Sequence, residues 1–367
     1  MRIAIIYWKT SSVGGIATHL NSLRTAGIVA GDKIDILHSD NWKRKTPTLF
    51  PERKWIRGGD TKIWVDGEIP QDEKAARWLE ENYDAVVYGF ICPHPTKAYP
   101  EPAFLPLYDI SLPKVAFVMD GYWADYEVWA KPLLEKLDYV FCPLESYALP
   151  LRKLGVKNLV ISPFPFQPKH GRGEEKSEEP LLIWPCQWKN IKGITQFLRV
   201  IPELPEELKI ELYSNGIRYY QLRTTDEWNR AVEIDTFDGY NGDGRAIFFG
   251  NVDIPEITAA YQRAWFTVNL QGMTTKKETY RRGSYNNTEV EALWYGALPI
   301  LHSSTKGTDL PTEVYLAVDK AEEIPLVISE FIKSGFALDE KRRAKAREFV
   351  REKHLASARY KDLRSRL

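Results

Sequence analysis

Short apolar runs separated by amphipathic stretches dominate the first half of the chain. Residues 3–6, 85–91 and 115–119 are almost continuously apolar, which is typical of parallel strands covered on both faces. Between these runs, residues 16–23 and 72–82 repeat apolar side chains at helical spacing. The alternation predicts an α/β domain built on a parallel sheet.

The same alternation resumes after a stretch rich in proline, glycine and charge, residues 162–180, which is typical of a linker between domains. Strands are predicted at residues 181–184, 208–213, 246–250, 266–270 and 298–301, with helices between them. One terminal helix is expected from about Asp339 to the end. The expected domains are residues 1–165, residues 166–345 and a C-terminal helix, residues 346–367.

Composition narrows the class of protein without naming a function. The chain has 367 residues, and its 50 basic and 50 acidic side chains leave no net charge to attract nucleic acid as a whole. Its three cysteines form neither a zinc pattern nor a disulfide framework, which suits a reducing cytoplasm. The first apolar run is too short for a signal peptide, and no stretch is long enough to cross a bilayer. We expect a cytoplasmic, monomeric protein without a metal site.

One segment departs from this neutral balance. Residues 41–63 hold seven basic and two acidic side chains, a local charge of +5, and tryptophan and phenylalanine are interleaved with them. Such a segment is what a surface that follows nucleic-acid phosphates and stacks on bases requires. A solvated excursion whose aromatic side chains fold back onto the domain is the alternative. The basic side chains that would contact DNA are Lys43, Arg44, Lys45, Arg53, Lys54 and Arg57.

Polar residues follow several predicted strands at the edge where α/β sheets bind ligands. Asp120 follows the strand at residues 115–119 and could take a proton from an attacking hydroxyl, or cap the next turn instead. Gly14 and Gly15 form a turn between the first strand and its helix, where backbone N–H groups can meet an anion. A plain tight turn explains the glycine pair equally well.

Polar residues also follow predicted strands in the second half of the chain. Lys189 and Lys192 lie between the strand at residues 181–184 and the next helix, within reach of an anion. Ser214 follows the strand at residues 208–213.

The most distinctive stretch is residues 276–300, in which a polar, basic loop leads into a short helix that stops at Gly296. Glu291 lies in the first turns of this helix. A buried carboxylate needs partners that offset its desolvation, such as a diol or the positive end of the helix. An acidic residue that merely suits the helix dipole is the alternative.

These motifs resemble the two-domain GT-B glycosyltransferases. Residues 291–299 are similar to the E-A-x-x-x-G-x-P signature of the retaining members, in which the glutamate binds the ribose of a nucleotide sugar and a basic pair holds the diphosphate. The resemblance implies two Rossmann-like domains facing a central cleft, with the C-terminal helix packed back on the first domain. It gives Glu291 the ribose role and Lys192 one of the two diphosphate roles. The family's other basic residue is commonly an arginine about five residues earlier, where this chain has Gln187, so Lys189 is expected to substitute for it. Gly283 stands where the family often has a second acidic residue, so the contact of that residue to the sugar is either lost or supplied by Ser284, Asn286 or Asn287.

A narrower resemblance is to the bacteriophage DNA α-glucosyltransferases, which modify 5-hydroxymethylcytosine in duplex DNA. It rests on residues 281–291, the loop at 303–307, residues 249–251 and Asp120, although Met119 replaces a histidine found there. The resemblance implies transfer from a UDP-sugar, without another cofactor, to a hydroxymethylated pyrimidine in a phage DNA modification inside the host cell. The donor-binding residues expected are Gly14, Gly15, Lys189, Lys192, Ser214, Arg282, Asn286, Asn287, Thr288 and Glu291, with Asp120 catalytic.

Two alternatives to the DNA acceptor remain at this point. One is a GT-B enzyme that acts on a bacterial glycan or a small molecule. The other is a catalytically silent GT-B fold used for binding, which the glycine at position 283 leaves open.

Overall fold

The computed structural model describes residues 1–7, 15–38, 73–89, 109–118, 134–168, 176–186, 192–213, 223–225, 231–233, 246–250, 252, 254–273, 284–334 and 339–367. These residues form two compact units. The first comprises Met1–Gln167 together with Lys353–Leu367, and the second comprises Pro168–Glu352.

The first unit contains a six-stranded parallel sheet in the order β2-β1-β3-β4-β5-β6. Its strands are β1 (Arg2–Tyr7), β2 (Lys33–His38), β3 (Ala85–Tyr88), β4 (Lys114–Phe117), β5 (Tyr139–Cys142) and β6 (Leu159–Ile161). Before the C-terminal segment, the helices among its described residues are α1 (Gly15–Val29), α2 (Glu73–Asn82) and α3 (Glu145–Lys153). The central strands β1 and β3 are buried along almost their whole described length, as their continuous apolar runs predict.

The second unit repeats the architecture with a six-stranded parallel sheet in the order β11-β8-β7-β12-β13-β14. Its strands are β7 (Leu181–Trp184), β8 (Lys209–Tyr213), β11 (Ala246–Gly250), β12 (Phe266–Asn269), β13 (Leu298–His302) and β14 (Leu316–Val318). A separate antiparallel pair is formed by β9 (Arg223–Thr225) and β10 (Ala231–Glu233).

Among its described residues, the second unit has five α-helices and several short 3-10 turns. The α-helices are α4 (Ile194–Val200), α5 (Ile254–Arg263), α6 (Asn287–Tyr295), α7 (Ile324–Ser334) and α8 (Glu340–Lys353). Single 3-10 turns are formed by Ile201–Glu203, Ser303–Gly307, Thr312–Val314 and Ala321–Glu323. Helix α6 ends at Gly296 as expected, since this residue has φ 80°, a left-handed conformation that glycine adopts without steric cost.

The C-terminal segment is two helices instead of the single one expected from about residue 339. Helix α8 ends at Lys353 and α9 spans Ala356–Arg364. The break occurs because the backbone pairs with another segment: the N–H of Phe166 donates to the carbonyl of His354, and the N–H of Ala356 donates to the carbonyl of Phe166.

Helix α9 belongs to the first unit and contacts α1. The buried Asp32 carboxylate accepts hydrogen bonds from the Tyr360 hydroxyl, at 2.6 Å, and from the Arg364 guanidinium. The bond from Arg364 is the main reason that the pKa of Asp32 lies well below its usual value. The expectation that the terminal helix packs back on the first unit is therefore confirmed for α9.

His19 is a buried imidazole in α1 without a hydrogen-bond partner among the described residues. Its side chain is 1% exposed, and its ring lies edge-on to Phe117, with the ring centroids 4.7 Å apart. Burial lowers the pKa of His19 from 6.5 to about 3. The imidazole is therefore neutral in the folded protein at neutral pH.

Acidification should destabilise the fold through His19. Because the folded pKa lies below the unfolded one, the unfolded chain takes up the proton first as the pH falls below 6.5, and this stability is lost. We expect the contribution of His19 to the free energy of unfolding to fall by about 2 kcal/mol between about pH 7 and about pH 5. Urea unfolding at both pH values measures it. The variant His19→Leu, which cannot titrate, should show a smaller drop, and an equal drop in both proteins would contradict the prediction.

The described helices include none that is long and apolar enough to cross a membrane.

Candidate functional site

The order of strands in the second sheet marks where a ligand can bind. From β7 the chain moves outward through β8 to β11, and then returns to β12 on the other side of β7. Strands β7 and β12 are thus neighbours whose connections leave in opposite directions. In open α/β sheets the crevice beyond the carboxyl ends of two such strands is the usual ligand site.

A buried carboxylate joins this sheet edge to the start of α6. Glu289 is 2% exposed, and its Oε1 accepts hydrogen bonds from Asn269 Nδ2 and from Thr288 Oγ1, both at 2.7 Å. Its Oε2 accepts one from the backbone N–H of Asn286, so Glu289 and Asn286 form a capping box. The positive end of the helix also favours a negative charge in this position. Glu289 therefore fixes the beginning of α6 against β12.

Gln271 extends the network from the carboxyl end of β12. Its side chain is 5% exposed, and its Oε1 accepts hydrogen bonds from Asn286 Nδ2, at 2.8 Å, and from the Lys192 ammonium. Its backbone N–H donates to Asn269 Oδ1 at 3.1 Å. One amide oxygen thus connects Lys192 with the residue that precedes α6.

The backbone around Lys192 is held against the same turn. The Leu270 N–H donates to the Lys192 carbonyl at 3.1 Å. Gly193 has φ 78°, and a Cβ at this position would lie 2.4 Å from the Leu270 Cβ. Because both the conformation and the close approach require glycine, the Lys-Gly pair places the lysine at the head of α4.

A buried thiol lies beside the charged groups of the network. Burial is the main cause that raises the pKa of Cys186 to about 12, the negative charge of Glu289 adds to the rise, and Lys192 opposes it. Cys186 is therefore a neutral thiol at neutral pH, and Lys192 supplies the positive charge at this edge.

Glu291 lies two residues beyond Glu289, and therefore on a different side of the same helix. It is only partly buried. Burial raises the pKa of Tyr261 well above its usual value, and the negative charge of Glu291 is the next largest cause. Glu291 is therefore close to a tyrosine of α5 and retains access to solvent, unlike Glu289.

The expected site residues divide into two groups. Lys192, Asn286 and Thr288 come together in the network, Asn287 is the first residue of α6, Glu291 is further along that helix, and Gly15 begins α1. The others, including the whole basic segment, lie outside the described residues: Gly14, Asp120, Lys189, Ser214, Arg282, Lys43, Arg44, Lys45, Arg53, Lys54 and Arg57.

Sequence reasoning missed Asn269, Gln271 and Glu289. For Glu289 a signal existed, because an asparagine followed three residues later by glutamate is the pattern of a capping box. In the described part of the chain, no group of His, Cys, Asp or Glu side chains is arranged to hold a metal ion.

Several solved structures are similar to this chain over nearly its whole length. An α-glucosyltransferase in complex with UDP and a 13-mer DNA containing an HMU base matches with a TM-score of 0.66 at 13% identity, over 100% of this chain and 99% of that one. HepE of Anabaena in complex with UDP-glucose matches at 0.62 and 10% identity, over 100% of both chains. Sucrose-phosphate synthase from Thermosynechococcus elongatus matches at 0.63 and 14% identity, over 99% of this chain and 97% of that one.

The chain therefore has the GT-B fold, and the expected likeness to phage-type DNA glucosyltransferases is confirmed at the level of structure. At the level of sequence, neither a protein-family model nor a curated protein matches the chain.

Proposed function

We propose that this chain is a glycosyltransferase that moves a sugar from a UDP-sugar to a hydroxyl group of a hydroxymethylated pyrimidine in duplex DNA. The observation that carries the proposal is the polar edge at the carboxyl ends of β7 and β12, where the Lys192 ammonium and the start of α6 are tied together by Gln271. A lysine and a helix start held together in this way suit the diphosphate of a nucleotide sugar.

The diphosphate and the ribose of the UDP-sugar would contact different residues at the carboxyl ends of β7 and β12. Lys192 and the start of α6 would face the diphosphate, with Lys189 and Arg282 as further basic groups. Glu291, which is accessible and close to Tyr261, would bind the ribose hydroxyls. Further contacts to the donor would come from Gly14, Gly15, Ser214, Asn286, Asn287 and Thr288.

The proposed chemistry assigns charges to these groups. Cleavage of the anomeric bond builds positive charge on the sugar and negative charge on the departing diphosphate. The Lys192 ammonium would stabilise the diphosphate as this charge develops. Asp120 would accept the proton of the attacking hydroxyl. We propose that the anomeric configuration is retained and that no cofactor beyond the UDP-sugar takes part.

The DNA acceptor is supported by the likeness to an α-glucosyltransferase whose solved complex contains UDP and DNA with an HMU base. A base in a duplex has to leave the stack to reach a catalytic cleft. The basic side chains at residues 43–57 would then contact the DNA phosphates.

A second candidate is transfer to a glycan or small-molecule acceptor. It is favoured by structural similarity over the whole chain to proteins solved without DNA. One of them is HepE in complex with UDP and glucose, which matches 100% of this chain with a TM-score of 0.60.

The experiment is incubation of the protein with a panel of UDP-sugars and duplex DNA that carries hydroxymethylcytosine or hydroxymethyluracil. The DNA is then digested to nucleosides and analysed by mass spectrometry. The proposal predicts that one nucleoside gains the mass of a hexose or a pentose. UDP release only to water or to small acceptors, with no gain in nucleoside mass, would favour the second candidate. Absence of UDP release with every donor would contradict both.

A further inference from the structure

Gln271 connects the carboxyl end of β12 to Lys192, the lysine of the proposed donor site. It lies in the turn after β12, and 79 residues separate it from Lys192 in sequence. Three separate hydrogen bonds fix it: its backbone N–H to Asn269, and its side-chain oxygen to Asn286 and to Lys192. Since the amide is 5% exposed, solvent competes little for these bonds.

The orientation of the Gln271 amide is fixed by the two groups that donate hydrogen bonds to its oxygen. Both the Asn286 amide and the Lys192 ammonium are donors, so a rotated amide would place its own NH₂ group against them. The carbonyl oxygen must therefore face Lys192. The orientation is maintained from behind, because Glu289 holds Asn269 and the backbone N–H of Asn286.

The acceptor that Lys192 meets is neutral, and this has an electrostatic consequence. Among the described residues, no carboxylate forms an ion pair with Lys192. A glutamate in place of Gln271 would hold the ammonium as firmly but would neutralise its charge. An amide orients the ammonium without adding a negative charge, and the bond to Gln271 occupies only one of the three N–H donors of the ammonium.

We infer that Gln271 is a positioning residue that orients the Lys192 ammonium toward the diphosphate of the donor. The inference rests on the proposed function for the identity of the anion. It adds a residue that does not itself touch the reacting atoms and that acts through Lys192.

The test compares UDP with uridine, which lacks the diphosphate, by calorimetric titration of the full chain. Gln271→Met keeps the length of the side chain and removes the acceptor. We expect about a tenfold loss of UDP affinity, equivalent to one lost hydrogen bond to a charged group, and an unchanged uridine affinity. Gln271→Glu keeps the shape and the acceptor. It should also lower the UDP affinity, because its negative charge neutralises Lys192 and repels the diphosphate.

A double-mutant cycle distinguishes a positioning role from a structural one. If Gln271 acts through Lys192, then Gln271→Met should cause no further loss of UDP affinity in a Lys192→Met background. If Gln271→Met does not fold, the UDP and uridine affinities of Gln271→Glu decide the matter alone. Additive losses, or equal losses for UDP and uridine, would overturn the inference while leaving the proposed function intact. Wild-type protein that binds uridine and UDP equally would instead overturn the diphosphate site, and with it this role of Gln271.

Discussion

Replacing Glu289 by alanine is expected to lower the free energy of unfolding by about 3–5 kcal/mol, because three donors lose their acceptor in a buried place. These donors are the Asn269 amide, the Thr288 hydroxyl and the backbone N–H of Asn286. The helix also loses the negative charge at its positive end. Chemical denaturation of the two proteins at neutral pH measures the difference.

The control for this prediction is Glu330→Ala, which removes an exposed glutamate from α7. It should change the stability by no more than about 0.5 kcal/mol. Glu289→Gln keeps the shape but presents an NH₂ group to at least one of the donors, so its loss should be smaller than that of alanine. Equal stabilities of Glu289→Ala and Glu330→Ala would contradict the role of Glu289 as the anchor of α6.

Lys192→Met is expected to have the largest effect on function. It keeps the apolar length of the side chain and removes the charge that we propose for binding the diphosphate, so UDP affinity should fall about 10- to 100-fold. Turnover with a UDP-sugar should fall further, by about 10²- to 10³-fold, because the charge on the departing diphosphate is greatest in the transition state. Calorimetric titration and a UDP-release assay measure the two quantities.

Lys333→Met is the matched control, since Lys333 is an exposed lysine in the last turn of α7. It should bind UDP as the wild-type protein does. Uridine should bind equally well to the wild-type protein and to both variants. If Lys192→Met and Lys333→Met bind UDP equally well, Lys192 does not contact the diphosphate.

The fold could be predicted from the sequence because its central strands are buried on both faces. The runs at residues 85–88, 181–184 and 298–301 consist almost entirely of apolar side chains, and each forms a parallel strand. The C-terminal helix was predicted less well. One helix was expected from about Asp339 to the end, whereas the backbone of His354 and Ala356 pairs with Phe166, a residue far away in the sequence, and interrupts it. Such a pairing has no signal in the local sequence.

The candidate site shows the same distinction between local and distant contacts. Lys192 and the short helix that stops at Gly296 were visible in the local sequence, and the structure brings Lys192 and the start of that helix together at the carboxyl ends of β7 and β12. Gln271 could not be predicted, because its partners lie 79 and 15 residues away and nothing in its own neighbourhood indicates them. Glu289 was overlooked in favour of Glu291, although the capping-box spacing distinguishes a carboxylate that serves the helix from one that remains accessible.

A crystal structure of the protein with bound UDP is the measurement that decides whether the donor binds at the carboxyl ends of β7 and β12. We expect a phosphate oxygen about 2.7–3.2 Å from the Lys192 Nζ, with the ammonium still bonded to Gln271 and the ribose hydroxyls in contact with Glu291. UDP bound elsewhere, in contact with neither Lys192 nor Glu291, would show that this is not the donor site.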